Sequence, residues 1–425
     1  MAKSKNRRNF ISKLGSGLLA ASFLDTDALA KHGGQTINFP RPDSADFWGE
    51  LRKQFPLRQD RVYLNNGTFG PAPYAVVNAL KSSIDEIYTT GEYGNYKKER
   101  KILADFVGAK ESEISLTHNT TEGINIMAWG LPLKAGDEVI VTKHEHVGNG
   151  LPWLNRAKLD GIIIKTFEPK LTAEQNFGVI KNLVTPKTRV IAVPHVTCTT
   201  GLVLPVKEIC QWARSRDIFT AIDGAHGAGT FDLNLEDLSC DFYASCYHKW
   251  MLGPVGTGFL FVKEEKLDQL KAIQVGGYSD SGWDITAEPP TFDGYVPTAH
   301  RYDYGTQSRP QYVGAAAAAE FHLSIGKTKV ERRLRELNNR LYLGLSNFGG
   351  RIQILSPEEE ESRISMISFR PKKLDYKALG KELSNSGFRI RQVPESNVDA
   401  IRISTHIYNN EEEIDLFLKT LETLV

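Results

Sequence analysis

Residues 219–262 read FTAIDGAHGAGTFDLNLEDLSCDFYASCYHKWMLGPVGTGFLFV, and this stretch decides the fold. Ile218 to Ile222 is a short apolar run suited to a buried strand, and the small Asp223-Gly224-Ala225 follows where the chain must turn under a ligand. Asp241 to Ser245 reads as the neighbouring strand. Gly253-Pro254, with Gly256 and Gly258, then turns the chain into a third strand, Phe259 to Val262. In an open α/β sheet the carboxyl ends of adjacent strands face one crevice, so the spacing predicts that Asp223 and Lys249 share it.

Alone, an Asp at a strand end is ordinarily a turn or cap residue and a Lys is ordinarily solvated. Paired, with His226 and His248 attached, they point to one chemistry. An enzyme that uses pyridoxal 5'-phosphate needs a lysine amine to hold the cofactor as a Schiff base. It also needs an acid to keep the pyridine nitrogen protonated, so that the ring accepts carbanion electrons. Lys249 and Asp223 supply both, and with His146 they are the candidate catalytic residues.

From about Tyr63 to Tyr408 the chain resembles the class V aminotransferase family of fold-type I pyridoxal-phosphate enzymes, which includes cysteine desulfurases, selenocysteine lyases and isopenicillin N epimerase. The motifs that carry the resemblance are Asp223-Gly224-Ala225-His226, His248-Lys249, and Glu145-His146-Val147-Gly148-Asn149 followed by Pro152-Trp153. It implies an α/β fold: a large domain with a mixed, mostly parallel seven-stranded sheet flanked by helices, and a smaller C-terminal α+β domain.

The resemblance also assigns roles. Glu113 to Thr117 reads as a strand running into His118-Asn119-Thr120-Thr121-Glu122-Gly123 at a helix start, where hydroxyls and amides gather and phosphate binds. Thr120 and Thr121 would hold the cofactor phosphate; capping the helix is the plainer alternative. His146 would lie over the cofactor ring and carry protons, with His226 and His248 beside it. Cys198 stands where many relatives carry Asn or Ser against the phenolic oxygen, and Cys246 where Ser, Thr or Asn is usual, so both cofactor positions depart from the pattern.

Thr306, in Arg301-Tyr302-Asp303-Tyr304-Gly305-Thr306, would reach across a homodimer interface to the partner's phosphate; an ordinary Gly-containing turn is the alternative. Arg402, on the alternating strand Ala400 to Ser404, would grip the substrate carboxylate with its guanidinium fork, with Arg389 and Arg391 nearby and Asn65 on a pocket loop.

The four cysteines are Cys198, Cys210, Cys240 and Cys246. None lies in the C-terminal region, where a cysteine desulfurase needs a mobile thiol. That argues against persulfide-forming desulfuration and leaves transamination, epimerisation, decarboxylation and β-elimination open.

Lys3, Lys5, Arg7 and Arg8 precede Asn9-Phe10-Ile11, an apolar stretch from Leu14 to Leu24, and Ala28-Leu29-Ala30. The pattern resembles a bacterial twin-arginine signal, with Asn6 as a departure, and predicts export by the twin-arginine machinery to the periplasm. Its apolar core of about eleven residues is too short to span a bilayer.

With 425 residues, 41% hydrophobic and net charge +1, the chain can bury a large core and has no global bias toward nucleic acid. It has no zinc-ligand spacing, and no metal is expected. The organisation reads as a signal over 1–30, an N-terminal segment packing on the small domain over 31–59, a large cofactor domain over 60–325 and a small domain over 326–425. The expected function is that of an exported enzyme acting at Cα of an amino acid or amine-bearing metabolite, as an aminotransferase or epimerase. A carbon–sulfur or carbon–selenium lyase and a non-catalytic amino-compound binder remain as alternatives.

Overall fold

The structure, a computed structural model, describes residues 31–32, 35–36, 39–41 and 43–425; the twin-arginine stretch lies outside the described residues. Strands β1 (Ile114–Thr117), β2 (Glu138–Thr142), β3 (Ile163–Phe167), β4 (Thr188–Pro194), β5 (Phe219–Asp223), β6 (Phe242–Cys246) and β7 (Gly258–Val262) form one sheet in the order β1-β7-β6-β5-β4-β2-β3. β7 runs antiparallel to both of its neighbours, and the remaining pairs are parallel.

The inner strands read as continuous apolar runs because both faces of the sheet are covered. Successive side chains point to opposite sides. Val190, Ala192, Ala221 and Ala244 therefore enter one core with Ile124 and Trp153, while Ile191, Val193, Ile222 and Tyr243 enter the other with Leu103 and Ile209. The expected strands are found within a residue or two of their positions. β3 was not expected: it is the sheet edge, with Ile163 44% exposed and Lys165 and Thr166 in its middle, so it lacks the apolar run. The long polar segment 276–298 also holds a hairpin, Asp280–Asp284 against Thr291–Tyr295.

Helix α1 (Thr120–Gly130) follows β1 and α2 (Val147–Asp160) follows β2, each starting at the carboxyl end of its strand. Helix α3 (Arg309–Ile325) ends at Gly326, after which α4 (Lys327–Ser346) begins. Beyond it, β8 (Ile352–Ile354), β9 (Met366–Pro371), β10 (Arg391–Val393) and β11 (Ala400–Ser404) make an antiparallel sheet in the order β8-β9-β11-β10. Helices α4, α5 (Tyr376–Asn385) and α6 (Glu411–Leu424) cover it through Leu337, Leu341, Leu379, Leu383, Phe417 and Leu421.

The segment before residue 60 straddles the two units. Phe47, Leu51 and Phe55 pack with Phe321 of α3, Leu334 of α4 and Tyr408. Arg52 donates to the Tyr408 carbonyl and pairs with Glu413 at 2.6 Å. The segment contacts both the small domain and α3. Among the described residues no helix is long and apolar enough to cross a membrane, and no His, Cys, Asp and Glu cluster could hold a metal.

Candidate active site

Because β7 reverses direction, the β6–β7 connection is a short loop at the carboxyl edge of the sheet, and it carries His248 and Lys249. The Tyr247 N–H donates to the Thr257 carbonyl at 3.1 Å and the Gly253 N–H to the Tyr247 carbonyl at 2.8 Å, closing the loop on itself. A second loop clamps it: the Gly70 N–H donates to the His248 carbonyl at 2.8 Å. A Cβ at Gly70 would sit 2.1 Å from the Lys249 carbonyl oxygen, so only glycine permits this approach.

Asp223 ends β5, two strands from β7 across β6. Gly224 behind it lies flat on Tyr243, whose ring would be 1.8 Å from an added Cβ. That packing turns the chain sharply, and the Ala225 N–H donates to Asp223 Oδ1 at 2.9 Å. Burial pushes the Asp223 carboxyl upward, against that hydrogen bond and the charges of Lys249 and His146.

A cavity of about 300 Å³ gathers Asn119, Thr120, Thr121, His146, Cys198, Asp223, His226, Cys246, His248 and Lys249, with Gly67, Thr68 and Arg391 closing the small-domain side. Nearly every residue expected at the cofactor is therefore brought together. Three expected residues are not among its lining. Thr306 is exposed and outside this chain's cavity. Asn65 lines an adjoining cavity. Arg402 lies directly behind Thr68 and Cys198, fully buried, donating to the Cys198 carbonyl and, at 3.2 Å, to Thr68 Oγ1.

Two histidines have their tautomers set by neighbours. The Trp250 indole N–H donates to His226 Nδ1 at 2.9 Å, so that nitrogen is the acceptor and a neutral His226 carries its proton on Nε2. Burial and the adjacent Lys249 charge hold His226 well below the usual histidine range, which keeps it neutral. Its Nε2 lies 3.4 Å from Lys249 Nζ, a contact in which Nε2–H can donate only to an uncharged amine. His146 Nδ1 likewise accepts the Gly148 N–H at 3.0 Å and caps α2, leaving Nε2–H as its free donor. Burial lowers the His146 pKa, with the Lys249 charge adding to it.

Beside His146, Glu145 accepts from the Thr142 N–H at 3.1 Å and from Asn149 Nδ2 at 2.8 Å, and its pKa is pushed up to about 8 by desolvation. The thiols are inert. All four cysteines are buried and unpaired, and burial raises Cys198 to about 11 and Cys246 in the same direction.

The threonines do not cap α1. Asn119 does, accepting the Glu122 N–H at 3.0 Å. Thr120 Oγ1 is thereby left buried at a helix N-terminus with no oxygen or nitrogen partner, and His248 Nδ1 is orphaned in the same cavity. An anion at this helix start would satisfy buried polar atoms whose isolation is costly. The chamber's size, its acid, its lysine and these orphans all fit pyridoxal 5'-phosphate.

Missing from the sequence reading was Trp250, adjacent to the lysine and identifiable only once its indole meets His226. Also missed was the pair Tyr408 and Asn66, in which Tyr408 Oη donates to Asn66 Oδ1 at 2.9 Å and Asn66 Nδ2 to the Lys249 carbonyl at 3.4 Å.

Fold and site together define a pyridoxal-phosphate-dependent α/β enzyme. More narrowly, the sequence profile of the Aminotransferase class-V family matches residues 74–417, and the chain belongs to that family. It is similar to an isopenicillin N epimerase of Streptomyces clavuligerus, 30% identical over 89% of this chain and 98% of the relative. It is also similar to a probable cysteine desulfurase of Methanothermobacter thermautotrophicus, 28% identical over 88% and 97%. The structure superposes with a TM-score of 0.80 on a C-DES variant with glycine covalently linked to the PLP cofactor, at 27% identity over 87% of this chain and 98% of that one.

Proposed function

We propose that this chain acts at Cα of an α-amino acid, or of a larger metabolite carrying one, as an epimerase or aminotransferase. Arg402 carries the reading. It is a guanidinium buried without any carboxylate partner among the described residues, its Nε orphaned, set immediately behind the chamber that holds Lys249. Burial and the neighbouring Arg391 lower its pKa to about 9, which still leaves a cation at neutral pH. A substrate carboxylate is the partner such a group lacks.

When bound, pyridoxal 5'-phosphate supplies an electron sink for charge left at Cα. Thr120, Thr121 and the α1 N-terminus would hold its phosphate, and Asp223 would hold a proton at the ring nitrogen. Lys249 is the attachment point and, once freed, the base for the Cα proton. His226 presents its Nε2–H 3.4 Å from that amine, and His146 presents a second Nε2–H to the same chamber.

A carbon–sulfur lyase is the second reading, favoured by the desulfurase relatives. The buried, proton-holding thiols do not support sulfur transfer onto the protein itself. The remaining proposals concern setting. The exposed position of Thr306 suits a homodimer in which it completes the partner's site, as does the exposed stripe of Val147, Leu151 and Leu154 on α2 beside the chamber. The twin-arginine pattern supports export to the periplasm in folded, cofactor-loaded form.

The test is borohydride reduction of the yellow protein followed by peptide mass spectrometry, with amino acid turnover assayed for isotope exchange at Cα, keto-acid formation and sulfide release. The expected outcome is a cofactor adduct on Lys249, absent in Lys249→Ala, with exchange or keto acid as the product. An adduct on another residue would remove the reading, and sulfide release without exchange would install the lyase.

A further inference from the structure

We propose that the cavity adjoining the cofactor chamber is a second anion subsite, so that the substrate is an amino acid whose side chain ends in its own carboxylate or comparable anion. This rests on the reading of the chain as an α-amino acid enzyme and narrows its substrate class.

The chamber at Lys249 has a volume of about 300 Å³, and a larger space of about 510 Å³ opens beside it. Thr68 and Arg391 line both, so the two adjoin across these side chains. A space of about 300 Å³ is at the low end for a small-molecule site. On the large-domain side it adjoins an open cavity past Thr121, His146 and Gly148, and on the small-domain side a long substrate side chain leads past Thr68 and Arg391. The adjoining space receives it between the 65–68 loop and the wall built from α5 and residues 388–392.

Charge decides what fits there. Lys381, Arg389 and Arg391 line the space, and no Asp or Glu does. Arg391 is paired with Glu395, whereas Lys381 and Arg389 have no ion-pair partner among the described residues. Strand pairing concentrates the cations further, because Arg391 of β10 stands opposite Arg402 of β11. Like charges directly opposite on a sheet are unfavourable, and Arg391 adds to the burial that lowers the Arg402 pKa.

The space is thus lined by three cations with Arg402 buried behind Thr68, and Glu395, outside the lining, is the one carboxylate paired among them. Two substrate anions relieve this excess: the α-carboxylate at Arg402, and a distal one at Lys381 and Arg389. Between these ends the wall is uncharged but polar, with Asn65, Ser384, Asn385 and Gln392, and it can hydrogen-bond an amide in the connecting chain.

The experiment titrates the holoenzyme with γ-L-glutamylglycine and with γ-L-glutamylglycinamide, which differ in the distal charge alone, and follows the cofactor absorbance. L-Norvaline serves as the plain α-amino acid. The free acid should bind roughly three- to tenfold more tightly than the amide, the range for partly solvated charge pairs. In the Lys381→Ala, Arg389→Ala double variant the ratio should fall to near one, with norvaline affinity unchanged. Both side chains are exposed, so the fold tolerates their loss. Equal affinities in the wild type, or a ratio untouched by the double variant, would overturn the subsite alone. Absence of a spectral response to all three compounds would overturn the subsite together with the amino acid reading beneath it.

Discussion

The two walls of the chamber are built on different physical principles. The large-domain wall holds Asp223, His226, His146 and Lys249 in fixed relation through short contacts made by their own neighbours: Trp250 on His226, Gly148 on His146, Ala225 on Asp223. Asp223 and His226 are buried and His146 and Lys249 half-buried, and the two histidines have their tautomers set by those contacts. The small-domain wall is a bank of cations, Arg391, Arg402, Lys381 and Arg389, answered within the protein by Glu395. One wall has its acid and histidines held by protein neighbours, with Thr120 Oγ1 and His248 Nδ1 left for an anion, and the other carries an excess of cations. The comparison separates chemistry, which needs preorganised donors and acceptors, from selection, which needs a vacancy of matching charge.

The sharpest way to break the comparison is Asp223→Asn. If the sheet wall serves chemistry, turnover should fall about 10²- to 10⁴-fold by a similar factor for every amino acid tested, since the variant acts before any substrate is distinguished. A loss confined to some substrates would erase the distinction between the walls.

Arg402→Lys probes the opposite wall with a smaller effect. Losing the fork geometry should raise KM for α-amino acids about 10- to 100-fold, with kcat within a few-fold. Amines that lack the carboxylate should be indifferent, as initial-rate kinetics on matched acid and amine pairs would reveal. A fall in kcat with KM unchanged would place Arg402 on the chemical side instead.

The smallest expected effect comes from Trp250→Phe. His226 is held below the usual histidine range chiefly by burial, and the indole N–H on Nδ1 further opposes a second proton there. Without it His226 protonates more readily, so the acid limb of the pH–rate profile should move to higher pH, with a rate loss of roughly tenfold or less at neutrality. In the cofactor-free protein ¹⁵N spectra should show His226 Nδ1 unprotonated in the wild type and tautomerically mixed in the variant. An unmoved acid limb would mean that the indole merely packs.

Much of the sheet wall could be read from the chain because its elements announce themselves locally. Ile218 to Ile222 is apolar but for Thr220 since β5 is covered on both faces, Asp223 ends that strand before Gly224, and Lys249 follows the end of β6 by three residues. The edge strand β3 was invisible because solvent on one side removed the pattern that betrays β5. Asn119 rather than the threonines proved to be the α1 cap, a choice between three adjacent polar residues that depends on backbone angles. The second cavity was hidden for another reason. Thr68 is far in sequence from Lys381 and Arg391 and meets them only where the 65–68 loop lies beside the small domain. Long-range juxtaposition leaves no periodicity to find.

The reversed strand β7 has a mechanical corollary. Parallel neighbours are joined by detours of a dozen residues or more, usually through a helix, and a reactive amine carried on such a detour would inherit its wandering. Threading β7 backwards between β1 and β6 lets the chain carry Lys249 on a clasp whose two ends are stitched to each other between Tyr247 and Thr257. The nucleophile is thereby anchored to the central sheet at both ends of its loop, while Arg402 and Arg391 reach the substrate from strands of the other sheet.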